Sequence, residues 1–221
     1  MPAVLEPPTK PSPAAPQAAP EADIPGVTRP MTYEEYLAGP EEMKRYDIID
    51  GYKIYRTWGE DKVPNPTRNH QEIQANTFEA FRAFQRSIKS GRAIQAPCDV
   101  RVVQNPTRTR QPDVLFISNE RLARNPPPSD PSPLAPAPEL VVEILSPSDT
   151  RRVLTDKLAD YARVDVQECW IIGQSTETVE VTRLDSAGTV TTVAVYGRGQ
   201  TVESVVFPGL TASVDALFTD E

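Results

Sequence analysis

Histidine and cysteine are almost missing from this 221-residue chain, which has one His (His70) and two Cys (Cys98 and Cys169). With a single imidazole, Ser-His-Asp hydrolysis or a multi-histidine metal site would hang on one ring, so neither class leads. The cysteines form no Cys-x-x-Cys pattern, which argues against a disulfide scaffold and a structural zinc site and fits a reducing cytoplasm. Each sits in or beside a strand-like run, where a free thiol behaves as a small hydrophobe. No stretch of about 18 apolar residues occurs, and the N-terminus lacks the apolar core of a signal peptide, so no membrane association is expected. A basic excess is also lacking: 23 Lys and Arg face 31 Asp and Glu, for a net charge of -8. Any polyanionic partner must therefore meet a local patch.

Proline is abundant, at 24 residues, and concentrated in two runs. Residues 1–30 are rich in Pro and Ala without hydrophobic period and read as a disordered tail. Residues 125–138 lie between two strand-like segments and read as a long surface loop within one domain spanning 31–221.

Thr32 and Glu35 make a capping box for a helix over 33–38. Tyr46–Asp50 and Tyr52–Trp58 are β-rich runs joined at Asp50-Gly51, a hairpin signal. Ile73, Thr77, Phe78, Phe81, Phe84 and Ile88 recur at helical spacing and predict a helix over 69–88. Strands are expected at 92–96, 99–104, 113–118 and 140–145, the last apolar on both parities and so central. A helix over 149–164 and strands at 168–173, 177–184, 190–196 and 201–207 complete the chain. The fold class is α/β or α+β, a central mixed β-sheet flanked by one long helix on each side, with extra C-terminal antiparallel strands. Trp58 and Trp170 read as packing residues.

Three charged side chains interrupt apolar patterns, where an unpartnered ion costs several kcal/mol. Asp113 opens Val-Leu-Phe-Ile, Glu143 sits inside Leu-Val-Val-Glu-Ile-Leu, and Lys157 shares a helical face with Val153, Leu154, Leu158 and Tyr161. If that helix packs on the strand of Glu143, the ammonium approaches two carboxylates on neighbouring strands, close enough to share one divalent ion. Such a trio suits Mg²⁺- or Mn²⁺-assisted phosphodiester hydrolysis. The alternative is a buried structural Glu143–Lys157 ion pair with Asp113 at an exposed strand end. On the sequence, Lys157→Met should abolish activity without loss of stability, whereas a large loss would favour the structural pair.

The segments MTYEEYLAGPEE, YDIIDG, NHQEIQ, DVRVV, RQPDVLFIS, PELVVEILSPSD, DKLADYARVDVQECWIIG and VVFPGL, in this order from Met31 nearly to the C-terminus, resemble the Uma-two family. These are bacterial proteins classed with restriction endonucleases in the PD-(D/E)XK superfamily. The resemblance implies a restriction-endonuclease-like core and a metal-dependent nuclease using Mg²⁺ or Mn²⁺. Asp113 and Glu143 would bind the metal, helped by the Ile144 carbonyl. The superfamily lysine two residues after the acid is replaced here by Leu145, and Lys157 on the following helix takes its role. Asp47 stands where the family expects glutamate, as a further acid of the site. Asp165 replaces a usual glycine, and Gly173 a frequent aspartate. The implied partner is nucleic acid, DNA ahead of RNA, acted on by a cytoplasmic homodimer.

His70, at the first turn of the long helix, is a candidate phosphate contact or simply a polar helix start. Arg110 near the Asp113 strand and Arg151 at the start of the Lys157 helix are candidates for a basic substrate rim, alongside Arg101, Arg108 and Arg152. Two other classes share these features: a binding or assembly module that keeps the fold without the reaction, and a small-molecule phosphohydrolase.

Overall fold

Thr32 caps the first helix, α1 (Tyr33–Ala38), and the expected box is complete: the Thr32 hydroxyl accepts from Glu35 N–H and the Glu35 carboxylate from Thr32 N–H. The computed structural model describes residues 29–40, 46–55, 67–104, 106–124, 134–135, 137–146 and 150–219. The expected tail over 1–28 and Trp58 lie outside these. Arg29 and Pro30, assigned to the tail, belong to the fold: Arg29 pairs with Glu35, and Pro30 packs against Gly51.

The hairpin is β1 (Tyr46–Ile49) and β2 (Tyr52–Tyr55), with Asp50 and Gly51 both at positive φ (52° and 85°), the turn that matches strand twist. A Cβ on Gly51 would stand 2.6 Å from that of Pro30, so glycine is required twice over. Helix α2 (Arg68–Ile88) follows, then β3 (Gly91–Gln95), β4 (Asp99–Val103), β5 (Arg108–Arg110) and β6 (Val114–Ser118). Next come α3 (Asn119–Arg124), β7 (Leu134–Ala135), β8 (Leu140–Leu145), α4 (Arg151–Arg163), β9 (Glu168–Gly173), β10 (Thr178–Leu184) and β11 (Val190–Tyr196). The chain closes with β12 (Thr201–Glu203), β13 (Thr211–Ser213) and α5 (Val214–Leu217).

The central sheet has order β11-β10-β9-β8-β6-β3, mixed because β8 and β9 run parallel and the other neighbours antiparallel. Helix α4 is the crossover between β8 and β9. Alternation along β8 sends Val142 and Ile144 to one face, against Ile73 and Phe81 of α2, and Val141 to the other, against Leu158 and Tyr161 of α4. The two-sided burial expected of this strand and the helix on each side are both observed. Trp170 is fully buried, edge-on to Phe81 at 5.2 Å between ring centroids.

Not every expected strand joins this sheet. β4 belongs to a second sheet of order β2-β1-β5-β4-β7, in which β5 was unforeseen. The 125–138 loop is interrupted: Leu134 and Ala135, its one non-proline apolar pair, add a parallel strand to β4. The expected 201–207 strand stops at Glu203, because Val205 and Val206 turn their N–H groups onto the Glu168 carboxylate, at 3.0 and 2.8 Å.

Candidate active site

Register brings the two carboxylates together. β6 and β8 pair antiparallel with Val114 opposite Val142, so the next positions outward are Asp113 and Glu143, at the same end of adjacent strands. Asp113 N–H continues the ladder, donating to Val142 O at 3.0 Å. Asp113, Glu143, Lys157 and His70 are only 5%, 3%, 6% and 7% exposed, so each ionic group depends on its neighbours instead of water.

Glu143 receives both its donors from α4. Lys157 Nζ lies 2.6 Å from Oε2, and the Tyr161 hydroxyl donates to Oε1 at 2.5 Å. Lys157 and Tyr161 are four residues apart, hence stacked one turn over the other on the helical face that meets the sheet. That face is Leu154, Lys157, Leu158 and Tyr161; Val153, expected to share it, is 41% exposed. Asp160, in the same turn, points to the second sheet. Its Oδ2 accepts from Arg110 Nε at 2.8 Å, and Arg108 Nη1 approaches it at 3.0 Å. α4 is therefore held by charge from two directions.

Asp113 is held from α2 and β8. His70 Nε2 meets Oδ1 at 3.1 Å, Ile144 N–H donates to Oδ2 at 2.8 Å, and Gln74 donates to the Asp113 carbonyl at 3.2 Å. His70 is placed by its cap, since Thr67 Oγ1 accepts from His70 N–H at 3.1 Å. Leu145, in the superfamily lysine position, presents its carbonyl to Gln174 Nε2 at 2.6 Å, and Gln174 accepts from Asn69 at the start of α2.

Burial opposes ionisation of Asp113, but the His70 contact and the Ile144 N–H outweigh it and hold the carboxyl below its ordinary range. At Glu143 burial wins, with the Asp113 charge adding to it, and pushes the carboxyl up against the pull of Lys157 and Tyr161. Burial and the Glu143 charge push the Tyr161 phenol far up, so it stays a donor. Two neighbouring acids with opposed shifts are a common mark of functional sites.

The site thus unites Asp113, Glu143, Lys157 and His70. Ile144 joins through its N–H. Asp47 lies in β1 opposite Ile54, and its side chain falls outside the described residues. Arg110 is buried and committed to Asp160, so the expectation of a substrate rim there gives way to a structural anchor for α4. Arg151 is exposed at the first position of α4, with no described contact to the carboxylates. Tyr161 was read from the sequence only as a face residue; its place four residues after Lys157 was the available signal. Asp160 and Gln74 gave none.

Among the described residues no group of three or more His, Cys, Asp or Glu side chains forms a cation cage. Two carboxylates nevertheless suit Mg²⁺ or Mn²⁺: a small hard cation prefers oxygen and commonly takes one or two protein carboxylates, waters and substrate phosphate. Each oxygen of the pair has a described donor, and an ionised carboxylate oxygen has about two acceptor sites, so a donor on it is compatible with a cation.

No curated protein matches the sequence. Among solved structures, the chain is similar to a crystal structure from Anabaena variabilis described as a putative nuclease belonging to DUF820. The TM-score is 0.65 and the identity 21%, over 86% of this chain and 98% of that one. At that identity the likeness establishes the shared fold. The model of the Uma2 family, described as "Putative restriction endonuclease", matches residues 33–215. That span covers α1 through β13, the start of α5 and every residue of the site, and the chain belongs to the Uma2 family.

Proposed function

We propose that this protein is a metal-dependent nuclease that hydrolyses phosphodiester bonds of nucleic acid, DNA ahead of RNA, with Mg²⁺ or Mn²⁺. The observation that carries the reading is the buried pair Asp113 and Glu143 at the end of β6 and β8 with the Lys157 ammonium on one of them. A packing role alone gives no reason to bury two acids side by side. Asp113, Glu143 and the Ile144 carbonyl would hold the ion, with Asp47 supporting it. When bound, the ion polarises the phosphate and acidifies a coordinated water.

The chain's own groups do the rest. Lys157 supplies a fixed positive charge beside Glu143, suited to orienting the attacking water and stabilising charge that develops on phosphate. Tyr161 keeps the Glu143 carboxylate in one rotamer, and His70 does the same for Asp113, so neither acid reorganises as substrate arrives. His70 also lies in the first turn of α2, where the helix dipole favours a phosphate.

Mn²⁺ titration of the parent and Glu143→Gln, followed by calorimetry or electron spin resonance, tests the site before any substrate is known. Saturable binding in the parent and its loss in the variant are expected. Equal or absent binding in both, up to millimolar Mn²⁺, defeats the metal site. A second reading, a fold kept for binding without catalysis, is favoured by one observation: every carboxylate oxygen of the pair already has a protein partner. It predicts no divalent-ion site and a stable partner. The proposed homodimer would use β11, an edge strand without a single charge, with Val190, Val193 and Val195 exposed.

A further inference from the structure

A positive groove lies apart from the carboxylates, between the C-terminal half of α2 and the edge strand β3. It encloses about 660 Å³ and is lined by Arg82, Arg86, Lys89 and Arg92, with no carboxylate in its wall. In a chain of net charge -8 this is unexpected. Arg29, Arg68, Arg108, Arg121, Arg124 and Arg198 all have acid partners. Among the described residues none of the four groove cations does.

Helix-end electrostatics accounts for Arg86 and Lys89, which sit where the α2 dipole favours cations. It accounts for neither Arg82, a turn earlier, nor Arg92, on the strand. Arg82 is moreover fixed in place: its Nη1 donates to Gln85 Oε1 at 2.9 Å, and the same oxygen accepts from Ala93 N–H at 2.9 Å. One glutamine thereby ties helix, strand and guanidinium together, while Arg86, Lys89 and Arg92 stand exposed above it.

We propose that this groove binds the sugar–phosphate backbone of the nucleic acid whose scissile phosphate lies at Asp113 and Glu143, a second anchoring site for the same substrate. The proposal rests on the nuclease reading. α2 links the two places: it begins at His70 against Asp113, and Arg82 and Arg86 follow 12 and 16 residues later. At about 1.5 Å per residue they lie roughly 18 and 24 Å along the axis. A duplex strand advancing ~3.4 Å per step covers that in about five to seven base pairs. Contacts of this kind fix position and register without reading sequence. The groove therefore sets a minimum substrate length and lets an acidic protein hold a polyanion.

The test uses the full chain in EDTA and a fluorescent 20-base-pair DNA duplex, with anisotropy read from 50 to 200 mM salt. The variant is Arg86→Gln/Arg92→Gln, whose side chains are exposed and unpaired, so its melting curve should overlay that of the parent. With ~0.9 counterions released per phosphate contact, the slope of log K against log salt should flatten by about 1.8. Affinity should fall by more than tenfold at 50 mM salt. If the parent binds the long duplex and the variant matches it in slope and affinity, the groove proposal is overturned. Cleavage of the same duplex in Mg²⁺ judges the nuclease reading separately. If the parent binds neither duplex nor single strands at 50 mM salt, the groove proposal falls, and cleavage alone decides the nuclease reading.

Discussion

Lys157→Met should destabilise the protein by about 3 kcal/mol, because it removes one half of a buried ion pair and leaves the other. Lys157 Nζ and Glu143 Oε2 are 2.6 Å apart with side chains 7% and 4% exposed, so no water replaces the lost ammonium. Breaking such a pair from one side costs about 3–5 kcal/mol, and the Tyr161 hydroxyl bond that remains on Oε1 places this case at the low end. The geometry replaces the expectation, drawn from the sequence alone, that the substitution would leave stability unchanged or raised, and a loss of stability therefore no longer separates a catalytic lysine from a structural one. That expectation saw an apolar side chain replacing a charged one, and not the carboxylate stranded opposite. The companion variant is Glu143→Gln/Lys157→Met, which removes both charges and keeps an acceptor for Tyr161. It should be more stable than Lys157→Met alone, with a coupling of about 2–3 kcal/mol. Urea denaturation at pH 7.5, followed through buried Trp170, measures both. Loss in the double variant equal to the sum of the two singles within about 0.5 kcal/mol would refute the reasoning, as would a Lys157→Met protein as stable as the parent.

Asp160→Ala removes the buried carboxylate shared by Arg108 and Arg110 and should cost ~3 kcal/mol; it should also weaken Mn²⁺ binding because α4 carries Lys157 and Tyr161, and thermal melts and metal titration read the two effects. Gly91→Ala places a Cβ 2.4 Å from the fully buried ring of Phe116, and overpacking of this kind costs about 1–3 kcal/mol in urea midpoints. Asp113 has a folded-state carboxyl below its ordinary value of 3.8, so its contribution is complete above that value. The contribution disappears as pH falls from 3.8 through the folded value. Acid titration of Asp113→Asn should accordingly lack that part of the parent's acid-side loss.

The sequence was most legible where local pattern and tertiary role coincide. The box at Thr32, the Asp50-Gly51 turn and the two-sided burial of β8 all follow from periodicity and turn chemistry. So does the convergence of Asp113, Glu143 and Lys157, because a charge inside an apolar pattern must find a partner. What stayed hidden was long-range pairing. Nothing in Arg108-Thr-Arg110 foretells a strand that clamps Asp160, 50 residues away from Arg110. Nothing in His70 foretells its contact with Asp113, 43 residues further along the chain, which only folding creates. Two of the departures from the family pattern, Asp165 and Gly173, have local causes. Asp165 adopts φ 61°, a conformation glycine takes freely and aspartate tolerates, and its carboxylate pairs with Arg121. At Gly173 a Cβ would stand 2.3 Å from Thr176 Oγ1, so Thr176 occupies the space an aspartate would need.

The lysine's residence on α4 also shapes the order in which the site assembles. Glu143 meets Lys157 across 14 residues and Tyr161 across 18, all inside the single β8–α4–β9 crossover. The His70–Asp113 contact closes 43 residues. Loop-closure entropy makes that longer contact costlier by about 1 kcal/mol than the 14-residue one. The crossover can therefore neutralise its buried glutamate during its own folding, before α2 has docked. The acid held from a distance, Asp113, needs the longer loop to close before His70 can reach it. The carboxylate hardest to bury is thus the one whose partners lie nearest to it along the chain.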